Sequence, residues 1–305
     1  MPYAVLFPGQ GSQTVGMGAD VFALRPDLLG DAASDVLGWS LRTLVGEGPQ
    51  EELTATDKAQ PALYAVAYAL WAEFASVAPP PAAGAGHSLG EYTALAASGA
   101  VEYAAGLRLV AARGAAMAAA ARTTPGGMAA LLGADQERAD DIAAGRRDTG
   151  GRLWVANLNS PGQVVVAGGS DDIAWLVENA RDLGVRRAIP LDVAGAFHSP
   201  LMEPAAAALD ETLRATELSS PRFPVYTNVE AAPSDEIADS LRRQLTSPVR
   251  FEASLRNMAA AGIDAFVHIG PGDVTAGLAK RTVGEATIHV VNSIEAIDDV
   301  ARAVS

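Results

Sequence analysis

Short β-rich runs alternating with long helical patterns are what most constrain the fold of this chain. Tyr3–Phe7, Phe223–Thr227, Ala265–Ile269 and Ala286–Val291 have strand composition, and Ala62–Ser76, Tyr103–Arg122 and Leu201–Ala215 are Ala/Leu-rich segments of helical character. Strands joined through helices return in the same direction, because the crossover carries the chain back along the sheet. The alternation therefore predicts an α/β protein with a largely parallel sheet.

The middle of the chain breaks that rhythm. Thr124-Pro125-Gly126-Gly127 is a cluster of breakers that closes the preceding helix. After it the pattern predicts a strand at Met128–Leu132, a helix at Asp135–Arg146 and strands at Leu153–Asn157 and Gln163–Ala167. A helix at Asp171–Leu183 and a strand at Val185–Val193 complete it. The order βαββαβ is the split unit of ferredoxin-like domains. We expect a large α/β domain, residues 1–124 and 191–305, interrupted by a small inserted domain at 125–190; one continuous sheet is the alternative. Pro79-Pro80-Pro81 reads as a rigid stop before the next strand.

Composition narrows the function. With 305 residues and 49% hydrophobic content the chain buries a large core. Its most apolar stretch, Ala59–Val77, is interrupted by Gln60 and Glu73 and reads as a buried helix rather than a membrane span. Met1-Pro2-Tyr3 leads directly into the first strand without a basic or long apolar leader, so a cytoplasmic location is expected. A net charge of −14 without a Lys/Arg-rich run argues against a nucleic-acid partner. The chain has no cysteine, which leaves Ser, His and carboxylates as the chemical groups.

Gly86-His87-Ser88-Leu89-Gly90 matches G-x-S-x-G, with small residues before it and a helical pattern from Glu91 to Ala97 after it. This strand–turn–helix setting presents a serine hydroxyl on a sharp turn, where helix N–H groups favour an oxyanion; a purely structural Gly-rich turn is the alternative. Such a serine needs a base, and there are four histidines. His87 adjoins the serine and should point away from it, while His268 and His289 lie in apolar strand patterns and read as core residues bonded to carbonyls. His198, between a strand and a helix in Ala194-Gly195-Ala196-Phe197-His198-Ser199-Pro200, is the best candidate. A carboxylate or a backbone carbonyl can hold its tautomer, and both remain open.

Phe7-Pro8-Gly9-Gln10-Gly11-Ser12-Gln13 invites a nucleotide-binding reading, but its glycine spacing fits neither G-x-G-x-x-G nor a P-loop. A glycine-flanked Gln10 can instead offer its N–H to an oxyanion, or simply make a tight turn.

Taken together, Gly-Gln-Gly-Ser-Gln, Gly-His-Ser-Leu-Gly-Glu (Gly86–Glu91), Arg113-Gly114 and Phe197-His198 give the chain a resemblance to malonyl-CoA:acyl carrier protein transacylases. The resemblance extends through Asn157-Leu158-Asn159-Ser160-Pro161-Gly162-Gln163, Ser247-Pro248-Val249-Arg250 and Gly270-Pro271-Gly272 and covers nearly the whole chain. It implies an α/β-hydrolase-like large domain with a ferredoxin-like insert. It further implies Ser88 as nucleophile, His198 as general base, and the N–H groups of Gln10 and Leu89 as the oxyanion hole. The main-chain carbonyl of Gln244 would orient the histidine, and Arg113 would grip the free carboxylate of the substrate. Without the resemblance Arg113 would read as a solvated surface cation. Met117, Asn157 and Gln163 fall near the cleft, with no chemical step assigned. Phe197, and Leu89 after the nucleophile, point to malonyl over methylmalonyl, although Gly195 departs from some malonyl-type members.

The implied partners are malonyl-CoA and an acyl carrier protein bearing phosphopantetheine, with no bound cofactor or metal. Carrier proteins are usually acidic, so docking on this acidic chain needs a local basic patch. Arg181, Arg186, Arg187, Lys280 and Arg281 are candidates, unless they are scattered solvated charges. The competing functions are a proofreading acyl hydrolase on the same fold and a catalytically silent carrier-docking subunit.

Overall fold

The computed structural model describes residues 1–305, with nine strands in two sheets. In chain order these are β1 (Tyr3–Phe7), β2 (Ala83–Gly86), β3 (Gly126–Leu132), β4 (Leu153–Ser160), β5 (Gln163–Gly169), β6 (Arg187–Pro190), β7 (Val225–Tyr226), β8 (Ala265–Ile269) and β9 (Thr287–Val291). The larger sheet is parallel throughout, in the order β7-β2-β1-β8-β9. The second is antiparallel, in the order β4-β5-β3-β6, with one helix after β3 and another after β5, the expected βαββαβ sequence.

Every residue of β1 is buried, because helices cover both faces of a parallel sheet. Alternate side chains divide between two cores: Tyr3, Val5 and Phe7 join the main cluster, while Ala4 and Leu6 pack with Phe251, Leu255 and Met258 on the opposite face. The Thr56–Val77 helix, as its apolar sequence predicts, is largely buried and packs against the Tyr103–Thr123 helix. The latter is the one helix long and apolar enough to cross a membrane by length and composition, yet half of its apolar window is buried inside the protein.

The antiparallel sheet has a core of its own: Ala129 and Leu131 of β3 pack with Ile142, Leu153, Val166 and Leu176. Met128 and Ala130, on the other face of the same strand, join the main cluster, so the two sheets meet through buried apolar surface. Leu158 N–H also donates to the Val249 carbonyl, and Val249 N–H to that of Ala156, tying β4 to the loop after Gln244.

The breaker cluster closes the preceding helix at Thr123 as expected, and Gly126 and Gly127 then open β3 opposite Gly169 and Gly168. Two local expectations are corrected. The strand expected at Phe223–Thr227 shrinks to Val225–Tyr226, since Thr227 already turns the chain through its bond with Ala232. The strand expected at Val185–Val193 is only Arg187–Pro190, because Val193 N–H closes a tight turn on the Leu191 carbonyl.

Candidate active site

Ser88 follows β2 and caps the Leu89–Ala97 helix with φ 52° and ψ −106°, a strained conformation for a residue bearing a side chain. The flanking glycines make this turn possible. A Cβ on Gly86 would stand 1.8 Å from the Gly90 carbonyl carbon, and one on Gly90 would stand 2.2 Å from the Phe7 oxygen. The helix thus starts in contact with the end of β1 and lifts the hydroxyl above the carboxyl ends of the parallel strands, where open α/β sheets bind ligands.

His198 also has positive φ, 57°, in the loop between β6 and the short 3₁₀ turn Pro200–Met202. Its Nε2 lies 2.7 Å from Ser88 Oγ, and its Nδ1 lies 2.8 Å from the main-chain oxygen of Gln244 at the end of the Ile237–Gln244 helix. A carbonyl accepts only, so Nδ1 carries the proton and Nε2 is free to accept one from the serine. No carboxylate takes part. Burial, followed by the nearby Arg113 charge, pulls the His198 pKa down to about 3, so the imidazole is neutral at physiological pH.

Arg113, on the Tyr103–Thr123 helix, is 1% exposed. Its Nη1 donates to Gln60 Oε1 at 2.7 Å; its Nη2 donates to Gln244 Oε1 at 2.8 Å and to Ser88 Oγ at 3.0 Å. The guanidinium lies 5.1 Å from the centre of the Tyr92 ring, and its Nε has no partner. Burial lowers its pKa, opposed by Tyr92 and Glu91. The cation has neutral amides, a hydroxyl and an aromatic face around it but no ion-pair partner, an arrangement suited to an anionic ligand.

Gln10 and Leu89 both line the cleft, and the Ser88 N–H is taken by Asn228 Oδ1 at 2.8 Å. The cleft, about 530 Å³, lies between the two sheets and brings together Gln10, Ser88, Leu89, Arg113, Met117, Asn157, Gln163, Phe197 and His198. Gln244 stands behind this lining. Met117 accepts a hydrogen bond from Gln60 through its sulfur at 3.4 Å. Asn157 is buried in β4 opposite Val249, and Gln163 Oε1 accepts from Arg281 Nη2 at 2.9 Å; neither bonds to Ser88, His198 or Arg113. A roomier groove of about 1290 Å³, bordered by Tyr68, Tyr103 and Arg222, contains no histidine.

Among the basic residues, Arg281 forms part of the cleft rim. Arg181, Arg186, Arg187 and Lys280 are exposed but outside the lining. His87 turns from Ser88 to Asn159 Oδ1 at 2.7 Å, and His268 bonds to Thr275 and to the Gly270 carbonyl. His289 is only partly buried in β9 and, contrary to expectation, makes no carbonyl bond, because the edge of the sheet leaves its ring partly in solvent.

Sequence reasoning missed three residues of this site: Gln60, Glu91 and Asn228. Gln60 had a signal, being the polar interruption of an otherwise apolar helix. Glu91 was visible only as a letter of the elbow motif, and Asn228 had no local signal.

A serine hydroxyl on a strained elbow, bonded to a neutral imidazole, is equipped for acyl transfer through an acyl-serine. The comparisons agree with that class. Residues 5–302 match the acyl transferase domain family. A malonyl CoA-acyl carrier protein transacylase of Bacillus subtilis is 41% identical over 300 residues, covering 97% of this chain and 95% of the relative. The crystal structure of an acyl carrier protein S-malonyltransferase from Vibrio cholerae superposes with a TM-score of 0.92 at 39% identity, covering 98% of this chain and 100% of that one. A malonyl-transacylase solved in complex with its type II polyketide synthase acyl carrier protein gives a TM-score of 0.93 at 36% identity, covering 99% and 100%. The chain belongs to the malonyl-CoA:acyl carrier protein transacylase family.

Proposed function

We propose that this protein moves a malonyl group from coenzyme A to the phosphopantetheine thiol of an acyl carrier protein through a malonyl ester on Ser88. The carrying observation is the buried guanidinium of Arg113, without an ion-pair partner and 3.0 Å from Ser88 Oγ. A substrate with a free carboxylate supplies the missing anion and brings its thioester carbonyl to the serine.

His198 Nε2 takes the Ser88 proton as Oγ attacks the thioester carbon, and the N–H groups of Gln10 and Leu89 receive the oxyanion. Collapse breaks the C–S bond, and His198 returns the proton to the leaving coenzyme A thiol. The carrier thiol then gives its proton to His198 and attacks the ester, and Ser88 leaves as the hydroxyl, so the kinetics are ping-pong. The Gln244 carbonyl keeps the imidazole in the competent tautomer, a dyad rather than a triad. Phe197 and Met117 shape the acyl pocket, while Asn157 and Gln163 line the path toward the thiol.

Residues 125–190 form the inserted domain in this reading and wall one side of the cleft. Arg281 on the rim is the foremost docking contact for the carrier, with Lys280, Arg181, Arg186 and Arg187 in support. The protein works in the cytoplasm and needs no bound cofactor. A hydrolase of neutral acyl chains has no use for the Arg113 cation, and a silent subunit has no use for the Ser88–His198 bond.

Intact-protein mass after mixing with malonyl-CoA tests the reading, with Ser88→Ala alongside and holo carrier protein added afterwards. A malonyl adduct absent from the variant and chased onto the carrier supports it. No adduct, or one lost to water with the carrier unlabelled, overturns it.

A further inference from the structure

Buried polar side chains, assigned no step in the acyl transfer, grip the backbone of Ser88 from both sides. Asn228, which is 0% exposed, follows β7 and is 140 residues from the serine. Its Oδ1 accepts the Ser88 N–H at 2.8 Å while its Nδ2 donates to the Gly86 carbonyl at 2.7 Å, so one amide spans the elbow. From the other side Gln244 Nε2 donates to the Ser88 carbonyl at 3.0 Å. Glu91 Oε2 joins the two grips, accepting from Asn228 N–H at 2.9 Å and from Gln244 Nε2 at 2.7 Å.

A positive φ at a serine persists only where its surroundings over-determine it. Asn228 meets that requirement and has a second consequence, since the N–H it occupies is the one nearest the reacting oxygen along the chain. We propose that Asn228 is a positioning residue for acyl transfer, holding Ser88 in its strained conformation and reserving the oxyanion for the N–H groups of Gln10 and Leu89. This rests on the acyl-serine reading above.

Both half-reactions pass through a tetrahedral centre on the same oxygen, so loosening the elbow should slow acylation by malonyl-CoA and transfer to the carrier by similar factors. Capture of the malonyl carboxylate, which uses Arg113, should be spared. A misplacement near 1 Å is enough to cost about 10²-fold in rate.

The test measures Asn228→Ala against the wild type in single-turnover acylation, single-turnover transfer and steady state, with the acyl-serine titrated by mass. The expected result is about a 10- to 100-fold fall in both single-turnover rates and in kcat, KM for malonyl-CoA within about threefold, and full labelling of Ser88 at long times. Wild-type rates overturn the proposal. So does a loss confined to one half-reaction, or a small fraction of sites reacting at full speed, which would mark a folding defect. If Asn228→Ala does not fold, Asn228→Ser keeps a polar group in the pocket but cannot span Ser88 and Gly86, and the same readouts apply. Absence of a wild-type malonyl adduct would count against the proposed function; a normal adduct with an unimpaired variant counts against Asn228 alone.

Discussion

Arg113 and Ser88 are in direct contact: the Nη2 of the one donates to the Oγ of the other at 3.0 Å, inside a cleft where the guanidinium has no ion-pair partner. The same cation therefore meets the nucleophile in the free protein, and in the proposed function it also receives the substrate carboxylate.

Removing that cation should change selectivity more than chemistry. Each charge-assisted hydrogen bond is worth about 1.5–3 kcal/mol, so a paired carboxylate favours malonyl over acetyl by about tenfold to a hundredfold or more. Arg113→Ala is expected to lower kcat/KM for malonyl-CoA by about 10²-fold and to leave acetyl transfer within a few-fold. Side-by-side kinetics with the two thioesters check this; equal losses would remove the role.

The legibility of these groups in the sequence follows how local their causes are. Ser88 was readable because the elbow is made by its neighbours: Gly86 and Gly90 pass so close that no other residue fits. His198 emerged by comparing the settings of four histidines, and its carbonyl partner at Gln244 came only with the family resemblance. Arg113 was ambiguous on its helix, because its burial depends on the Thr56–Val77 helix packed across it and on Gln60 within that helix. Asn228 was invisible, since its contact with Ser88 exists only after β2 and β7 have paired. The fold followed the same rule: the alternation of elements was visible, whereas the ends of β6 and β7 are set by turn hydrogen bonds that composition does not display.

Phe197 is 6% exposed, lines the cleft and adjoins the base. In the proposed acyl pocket an α-methyl branch competes with its ring for space, and overpacking of a well-packed site typically costs about 1–3 kcal/mol. We expect kcat/KM for methylmalonyl-CoA to fall at least about tenfold below that for malonyl-CoA, and Phe197→Ser to narrow the gap. Comparable values for the two substrates in the wild type would contradict the expectation.

The depressed pKa of His198, about 3, means that acidification does not protonate the base until far below the ordinary histidine range. Single-turnover acylation by malonyl-CoA should accordingly stay flat from pH 8 down to about 5, with no fall near 6.5. Rapid-quench measurements across that interval check it. In Arg113→Ala one cause of the depression is gone, and an acid limb should move up toward neutral pH.

Glu91 carries the opposite shift. Burial raises its carboxyl from 4.5 to about 7 despite the bonds from Gln244 and Asn228, and its Oε1 has no partner. The folded state therefore holds this proton more tightly than the unfolded chain does. The corresponding stability is fully present below pH 4.5 and is lost as pH rises through about 7, on the order of 3 kcal/mol in all. The buried histidines pull the other way, because stability linked to His87, His198 and His268 is present above 6.5 and lost as pH falls. Comparing Glu91→Gln with the wild type at each pH cancels those histidine contributions. The variant mimics the protonated carboxyl and keeps an oxygen acceptor for Asn228 and Gln244. It is expected to match the wild-type Tm at pH 5 and to exceed it at pH 8; calorimetric scans giving the same difference at both values would show that Glu91 does not titrate in the folded protein.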